Sequence, residues 1–190
     1  MVYVEGRFDL FHSLDPAKRD RSFDAALAEF GAKGFKRAST NAIVERAGIG
    51  KGMLFYYFRS KAELFQFICE YTVEFVENEY FNKLVFESPD ILERYRRLAE
   101  AKRRAQDKSP LIMSFAVSFF LPENRDFLPQ YLSTSEDLRD RTHRELLEGA
   151  DYSLFRDDIP PDRILEYLDW LTKSYEDATT ARISNSDTNA

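Results

Sequence analysis

Between Gly34 and Leu64 the stretch GFKRASTNAIVERAGIGKGMLFYYFRSKAEL alternates short apolar runs with helix-stopping signals, so no long helix can form between one signal and the next. Ser39 or Thr40 is a cap acceptor ahead of Ile43, Val44 and Ala47, the buried side of one short helix. The turn Ala47-Gly48-Ile49-Gly50 follows, and Gly48 supplies the positive φ that a tight helix–helix connection requires. A third helix is predicted from Lys51 to Phe58. Ser60, with Glu63 three residues on, reads as a capping box that opens a long fourth helix carrying Leu64, Phe67, Ile68, Tyr71, Phe75 and Val76 towards Phe86. Ahead of this unit, Asp15-Pro16 is a helix start. Phe23, Ala26, Leu27 and Phe30 recur on one face, and Gly34 ends that helix in the C′ position.

Charge is distributed in a way that gives the unit a partner. The chain carries a net charge of −6, yet Pro16 to Gln66 holds ten Lys or Arg against five Asp or Glu. A basic module on an acidic body directs a polyanion to one end of the molecule. Hydrophobic residues make up 44% and charged residues 32%, with only 7 Gly and 7 Pro, which favours a folded all-α protein. The single Cys69 excludes an internal disulfide and suits a reducing cytoplasm, and MVYVEGRFDLF does not read as a signal peptide. The longest apolar run, Leu111 to Leu121, is far short of the roughly 20 residues of a membrane span, so no membrane partner is expected.

The rest of the chain reads as helices over 91–107, 109–121, 124–149 and 161–182, after a break at Ser88-Pro89-Asp90. Pro122 and Pro129 punctuate the third of these, which leaves room for a separate short helix. Four segments are expected: an N-terminal arm at 1–14, a helix-turn-helix domain at 15–60, a larger helical domain at 61–183, to which the resemblance described below assigns ligand binding and dimerisation, and a polar tail at 184–190.

A helix that reads the major groove must pack on one side and leave basic, polar or aromatic groups on the other. In Lys51–Phe58, Leu54 and Phe58 can anchor the helix, joined by Phe55 from the side. Lys51, Gly52, Met53, Tyr56 and Tyr57 are then free for DNA. Thr40, with Asn41 beside it, and Lys61 stand at helix starts, where phosphate contacts set register rather than sequence. Tyr56 and Tyr57 have a plainer reading as core or interface aromatics, and Lys33, Lys36 and Arg37 as a solvated loop.

Taken together these residues resemble the N-terminal domain of TetR-type transcriptional repressors. That pattern is a glycine–aromatic pair, two Thr or Ser, an Ile, Ala-Gly-Val-Ser, Gly-x-Leu-Tyr-x-His-Phe and Lys-x-x-Leu. Its places are filled here by Gly34-Phe35, Ser39-Thr40, Ile43, Ala47-Gly48-Ile49-Gly50, Gly52 to Phe58 and Lys61 to Leu64. The resemblance covers Pro16 to Leu64. Three positions depart from it: Gly50 replaces a serine cap, Met53 a common hydroxyl residue, and Phe55 a tyrosine that here can only pack.

The resemblance implies an all-α homodimer with a palindromic double-stranded DNA operator, a small-molecule inducer held by the middle helices, and no cofactor. Candidate interface residues are Leu138, Leu146 and Leu147, then Ile164, Leu168, Trp170, Leu171 and Tyr175, although intramolecular core explains the same stripes. Tyr71, Phe75, Tyr95, Phe115, Phe119 and Phe120 could line an aromatic cavity for an apolar or aromatic inducer, against the plainer reading of a phenylalanine-rich core. Arg94, Arg96, Arg97, Lys102, Arg103 and Arg104 read as a solvated face interleaved with Glu93, Glu100 and Asp107. The rival functions are a helical interaction protein without DNA binding and an enzyme. His12 and His143 lie in no nucleophile or metal motif, and no Gly-rich phosphate loop or zinc spacing is present.

Overall fold

A computed structural model describes residues 11, 13–120, 129–153 and 155–186, without the side chains of residues 120, 129, 130 and 175–186. Among them are eight α-helices: α1 (Pro16–Arg37), α2 (Thr40–Ala47), α3 (Lys51–Tyr57), α4 (Lys61–Glu79), α5 (Ile91–Lys108), α6 (Pro110–Val117), α7 (Pro129–Leu147) and α8 (Pro161–Ser186). Single 3-10 turns follow α4 at Phe81–Lys83 and α6 at Ser118–Phe120. The fold is all-α. The arm at 1–10, His12, the stretch 121–128 with Pro122, and the last residues of the tail lie outside the described residues.

Caps mark the element boundaries. Asp15 accepts a hydrogen bond from the Lys18 N–H at 3.1 Å, with Pro16 at the first helical position. Gly34 breaks α1 at φ 65°, and a last turn to Arg37 continues beyond this kink, closed by the Ala38 N–H on the Gly34 carbonyl at 3.1 Å. At the start of α4, Ser60 Oγ accepts from the Glu63 N–H at 3.1 Å, while Glu63 Oε2 reaches the N–H of Arg59 at 2.8 Å, one residue upstream of the cap. The fourth helix stops at Glu79 rather than running on towards Phe86. There the chain turns at Tyr80, whose N–H closes on the Val76 carbonyl at 3.0 Å, and enters the 3-10 turn.

Phenylalanines join the elements. Phe65 of α4 meets Phe30 and Phe35 of α1 at 4.8 and 5.0 Å between centroids, and Phe115 of α6 edge-on at 6.1 Å. From Phe115 the row continues through Phe119 at 5.4 Å to Tyr131 of α7 at 6.2 Å. Each such pair contributes about 0.5–1.5 kcal/mol beyond the area it buries. On another side of α4, Phe67 packs on Phe23 and Phe58 at 6.1 and 5.2 Å. The two rows belong to one core cluster from α1 to α7. Helix α6 also lies directly on α1, with the backbone of Gly31 over the Phe115 ring.

Arg94 departs from the expected solvated face of α5. It is 4% exposed, and its Nη1 donates to the carbonyls of Leu146 at 2.8 Å and Glu148 at 2.7 Å, while its Nε donates to Ser88. The guanidinium therefore closes the C-terminal end of α7, where the helix dipole places negative charge. Nearby, the Asp151 N–H donates to the Pro89 carbonyl at 2.7 Å. The other charges of the run do lie outward: Arg96 and Arg97 pair with Glu93 and hold its carboxyl down to about 2, and Arg103 pairs with Asp107.

Two stability outcomes follow from buried polar groups. Arg94→Met strips the carbonyls of Ser88, Leu146 and Glu148 of their donor and should lower stability by roughly 3 kcal/mol, read as a reduced urea midpoint. Thr72 on α4 is fully buried, and its Oγ1 has no hydrogen-bond partner among the described residues. Thr72→Val keeps the shape and removes the stranded hydroxyl, so it should raise the midpoint by the equivalent of about 1 kcal/mol. A lower midpoint would show that Thr72 has a partner after all.

Candidate nucleic-acid interface

The interface is built on α2 and α3. Ser39 rather than Thr40 caps α2, accepting from the Ala42 N–H at 3.4 Å. The Ser39 N–H itself donates to Glu29 Oε1 at 2.8 Å, and Lys33 Nζ donates to the same oxygen at 2.9 Å. Burial pushes the Glu29 carboxyl up, but those two donors outweigh it and hold it below the usual carboxylate range. A carboxylate from α1 thus fixes the entry to α2. At its exit Gly48 adopts φ 67°, and the Arg21 Nε donates to the Ala47 carbonyl at 3.3 Å.

Helix α3 spans seven residues, and Gly50 gives its first turn no side-chain cap. Leu54 and Phe58 are 2% and 1% exposed, so the expected anchoring pair is the buried side. Lys51, Gly52 and Tyr56 lie on the exposed side, Tyr56 at 66%. Met53 and Phe55 are half-buried. Gly52 and Tyr56 are four residues apart and so share one strip of the helix. A Cβ added to Gly52 would meet nothing within 4 Å, so this fold does not need a glycine there. Tyr57 is half-buried, with its ring edge-on to Tyr56 at 5.2 Å and to Phe11 at 5.8 Å.

The remaining candidates divide. Thr40 is half-buried and Asn41 exposed at the start of α2. Lys61 has a role that its position at a helix start did not signal. Its Nζ donates to the carbonyls of Ala38 at 3.1 Å and Lys36 at 3.3 Å and lies 4.8 Å above the Phe35 ring. It joins the start of α4 to the end of α1. Glu29 and Arg21 were not singled out from sequence, since a side chain that reaches backbone 10 or 26 residues away leaves no periodic trace.

The pocket candidates do not converge on one lining. Phe115 and Phe119 are buried in the row on the Phe65 side of α4, and Phe75 is half-buried against the core. Tyr71 is 39% exposed, with its ring edge-on to Phe23 at 4.6 Å and tilted against Phe67 at 6.3 Å. Tyr95 donates to Asp169 Oδ1 of α8 at 2.6 Å, and burial followed by this hydrogen bond raises its phenol pKa. The Phe120 side chain lies outside the described ones. Cys69 is enclosed in the core of α4, where burial pushes its thiol up.

On the interface side, Leu138 and Leu146 are enclosed by their own chain, with Leu146 at 2% exposure leaving no surface for a second copy. Leu147, Ile164 and Leu168 are half-buried, Trp170 and Leu171 are exposed, and the Tyr175 side chain is outside the described ones. Among the described residues no group of three His, Cys, Asp or Glu could hold a metal ion, and no helix is long and apolar enough to cross a membrane.

Residues 23–68 match the family model described as bacterial regulatory proteins, tetR family. Two solved structures share the fold over most of their length. A TetR family transcriptional regulator from Chloroflexus aurantiacus J-10-FL is 19% identical, with a TM-score of 0.51 over 92% of this chain and 91% of that one. The fatty acid degradation regulator FadR from Bacillus halodurans is 20% identical, with a TM-score of 0.50 over 85% and 87%. That family's N-terminal segment falls on α1 to α4 of this chain, and the all-helical fold around it is similar to the fold of these two regulators.

Proposed function

We propose that the protein is a ligand-responsive repressor that works as a cytoplasmic homodimer on a palindromic operator. Each subunit inserts α3 into the major groove of one half-site. The observation that carries this reading is the two-sidedness of α3: Leu54 is buried beneath it, while Lys51, Gly52 and Tyr56 stand exposed. A solvent-facing tyrosine and lysine on a helix too short for stable solitary existence suit a groove better than water. The open space over Gly52 gives room for a sugar-phosphate strand, which accounts for a residue that costs a helix about 1 kcal/mol relative to alanine. Lys51 supplies the donor for guanine or phosphate, and Met53 and Tyr57 add contacts from the flanks. Asn41 and Thr40 hold the phosphate backbone at the start of α2, and Lys61 acts by keeping α1 and α4 together beside it.

Assembly follows from α8. None of its described side chains is fully buried by its own chain, while Tyr167, Trp170 and Leu171 are 44%, 56% and 67% exposed. Apolar surface of this kind on a 26-residue helix suits a partner helix. A palindromic operator read by two copies requires their α3 helices about 34–36 Å apart, one turn of the duplex. An apolar or aromatic inducer between the middle helices has a route to α3: α6 rests on α1, and α4 carries both aromatic rows. The inducer acts only through its difference in affinity between the DNA-competent and released arrangements.

A duplex selected by the wild-type protein from a randomised pool tests the reading face. Lys51→Ala and Tyr56→Ala should each weaken binding by roughly 1–3 kcal/mol, with thermal melting unchanged. Unchanged affinity in both would remove α3 as the reading helix. Affinity should also fall steeply as salt rises. In sedimentation at micromolar concentration the wild type should run as a dimer, and the double variant Trp170→Asp, Leu171→Asp as a folded monomer. A wild-type monomer would refute assembly through α8.

A further inference from the structure

Phe11 lies outside the segment that matches the family and outside the helix-turn-helix, yet it is 4% exposed. Its ring meets Tyr57 edge-on at 5.8 Å, Phe58 at 4.9 Å and Phe67 edge-on at 5.3 Å. It is tied to the start of α1, because the Leu14 N–H donates to the Phe11 carbonyl at 3.1 Å one residue before the Asp15 cap. One side chain therefore touches the last turn of the recognition helix, its C-cap and the helix that leads into the body. Tyr57 in turn lies edge-on to Tyr56, so an unbroken ring contact runs from Phe11 to the most exposed aromatic of α3. The recognition helix has no side-chain cap and only seven residues, and its tilt is set by what it rests on.

We propose that Phe11 is a positioning residue for DNA reading: its ring, wedged against Tyr57, Phe58 and Phe67, sets the angle at which α3 presents Lys51 and Tyr56. The inference rests on the groove-reading role given above to α3. A wedge that tilts the helix governs base contacts, which need a defined approach. It has far less effect on diffuse phosphate attraction, which depends on charge. Phe11 would act on DNA through Tyr57 and Phe58, without touching the duplex.

The measurement is affinity for a duplex selected by the wild type from a randomised pool, set against affinity for poly(dI-dC). Phe11→Ala should lower the specific affinity about tenfold or more and leave the poly(dI-dC) affinity nearly unchanged, so that the ratio of the two collapses. Phe11→Leu retains most of the volume but no ring edge. It should keep the wild-type helical circular dichroism and melting, yet also lose part of the ratio. Combining Phe11→Ala with Tyr57→Ala should cost less than the two single losses added, because one acts through the other. If Phe11→Ala does not fold, Phe11→Leu decides the matter. A wild-type ratio in folded Phe11→Leu, or strict additivity in the double variant, would overturn the proposal. A wild-type protein that selects no duplex at all removes instead the groove-reading role of α3, and the wedge with it.

Discussion

Burial of Leu54 and Phe58 beneath α3 is the contact on which the helix-turn-helix depends. A helix of seven residues lies well below the length at which hydrogen bonds alone sustain helicity in water. Gly50 offers only its carbonyl, which accepts from Met53 at 3.0 Å and Leu54 at 3.3 Å. Two fully buried side chains, each contributing about 1.5–3 kcal/mol, outweigh what that first turn lacks. The arrangement leaves the outer side of α3 free of structural duty. Lys51, Gly52 and Tyr56 can then differ from what a stable helix would choose.

Helix α4 joins this local device to the rest of the chain. Its Phe67 packs on Phe58 at the end of α3, and its Phe65 faces α1 and α6. Close-packed aromatic rings transmit displacement because they cannot deform continuously. The division expected at residue 60 is no break in packing, since a single core runs across it. Lys61 strengthens the join by bridging the carbonyl ends of α1 to the first turn of α4.

The C-terminal helices show two opposite solutions for a helix end. The last carbonyls of α7 are taken by the buried Arg94 fork, which locks that helix to α5. Helix α8 is tied to its own chain by lighter contacts such as the Tyr95–Asp169 hydrogen bond, and it keeps Tyr167, Trp170 and Leu171 in solvent. One helix is locked into the interior of its chain, and the other leaves an apolar face exposed.

Local signals made much of this legible beforehand. Asp15-Pro16, Gly48 and Ser60 act within a few residues of themselves, so the letters alone place the starts of α1 and α4 and the turn between α2 and α3. The anchoring pair Leu54 and Phe58 is likewise a matter of helical spacing. Arg94 shows where that reasoning stops: among alternating charges it reads as solvated, and only the arrival of α7, more than 50 residues later, buries it. Leu146, which the sequence offered equally to a partner and to the core, is enclosed by its own chain, whereas Trp170 and Leu171, in a similar stripe, remain outside. Phe11 carried no periodic signal at all. Sequence by itself determined the caps, the turn and the two-sided character of α3, because those are settled by neighbours along the chain. Tertiary structure alone decided which apolar stripes face inward, which cation is buried and which ring supports α3, because burial depends on what distant segments bring to the same place.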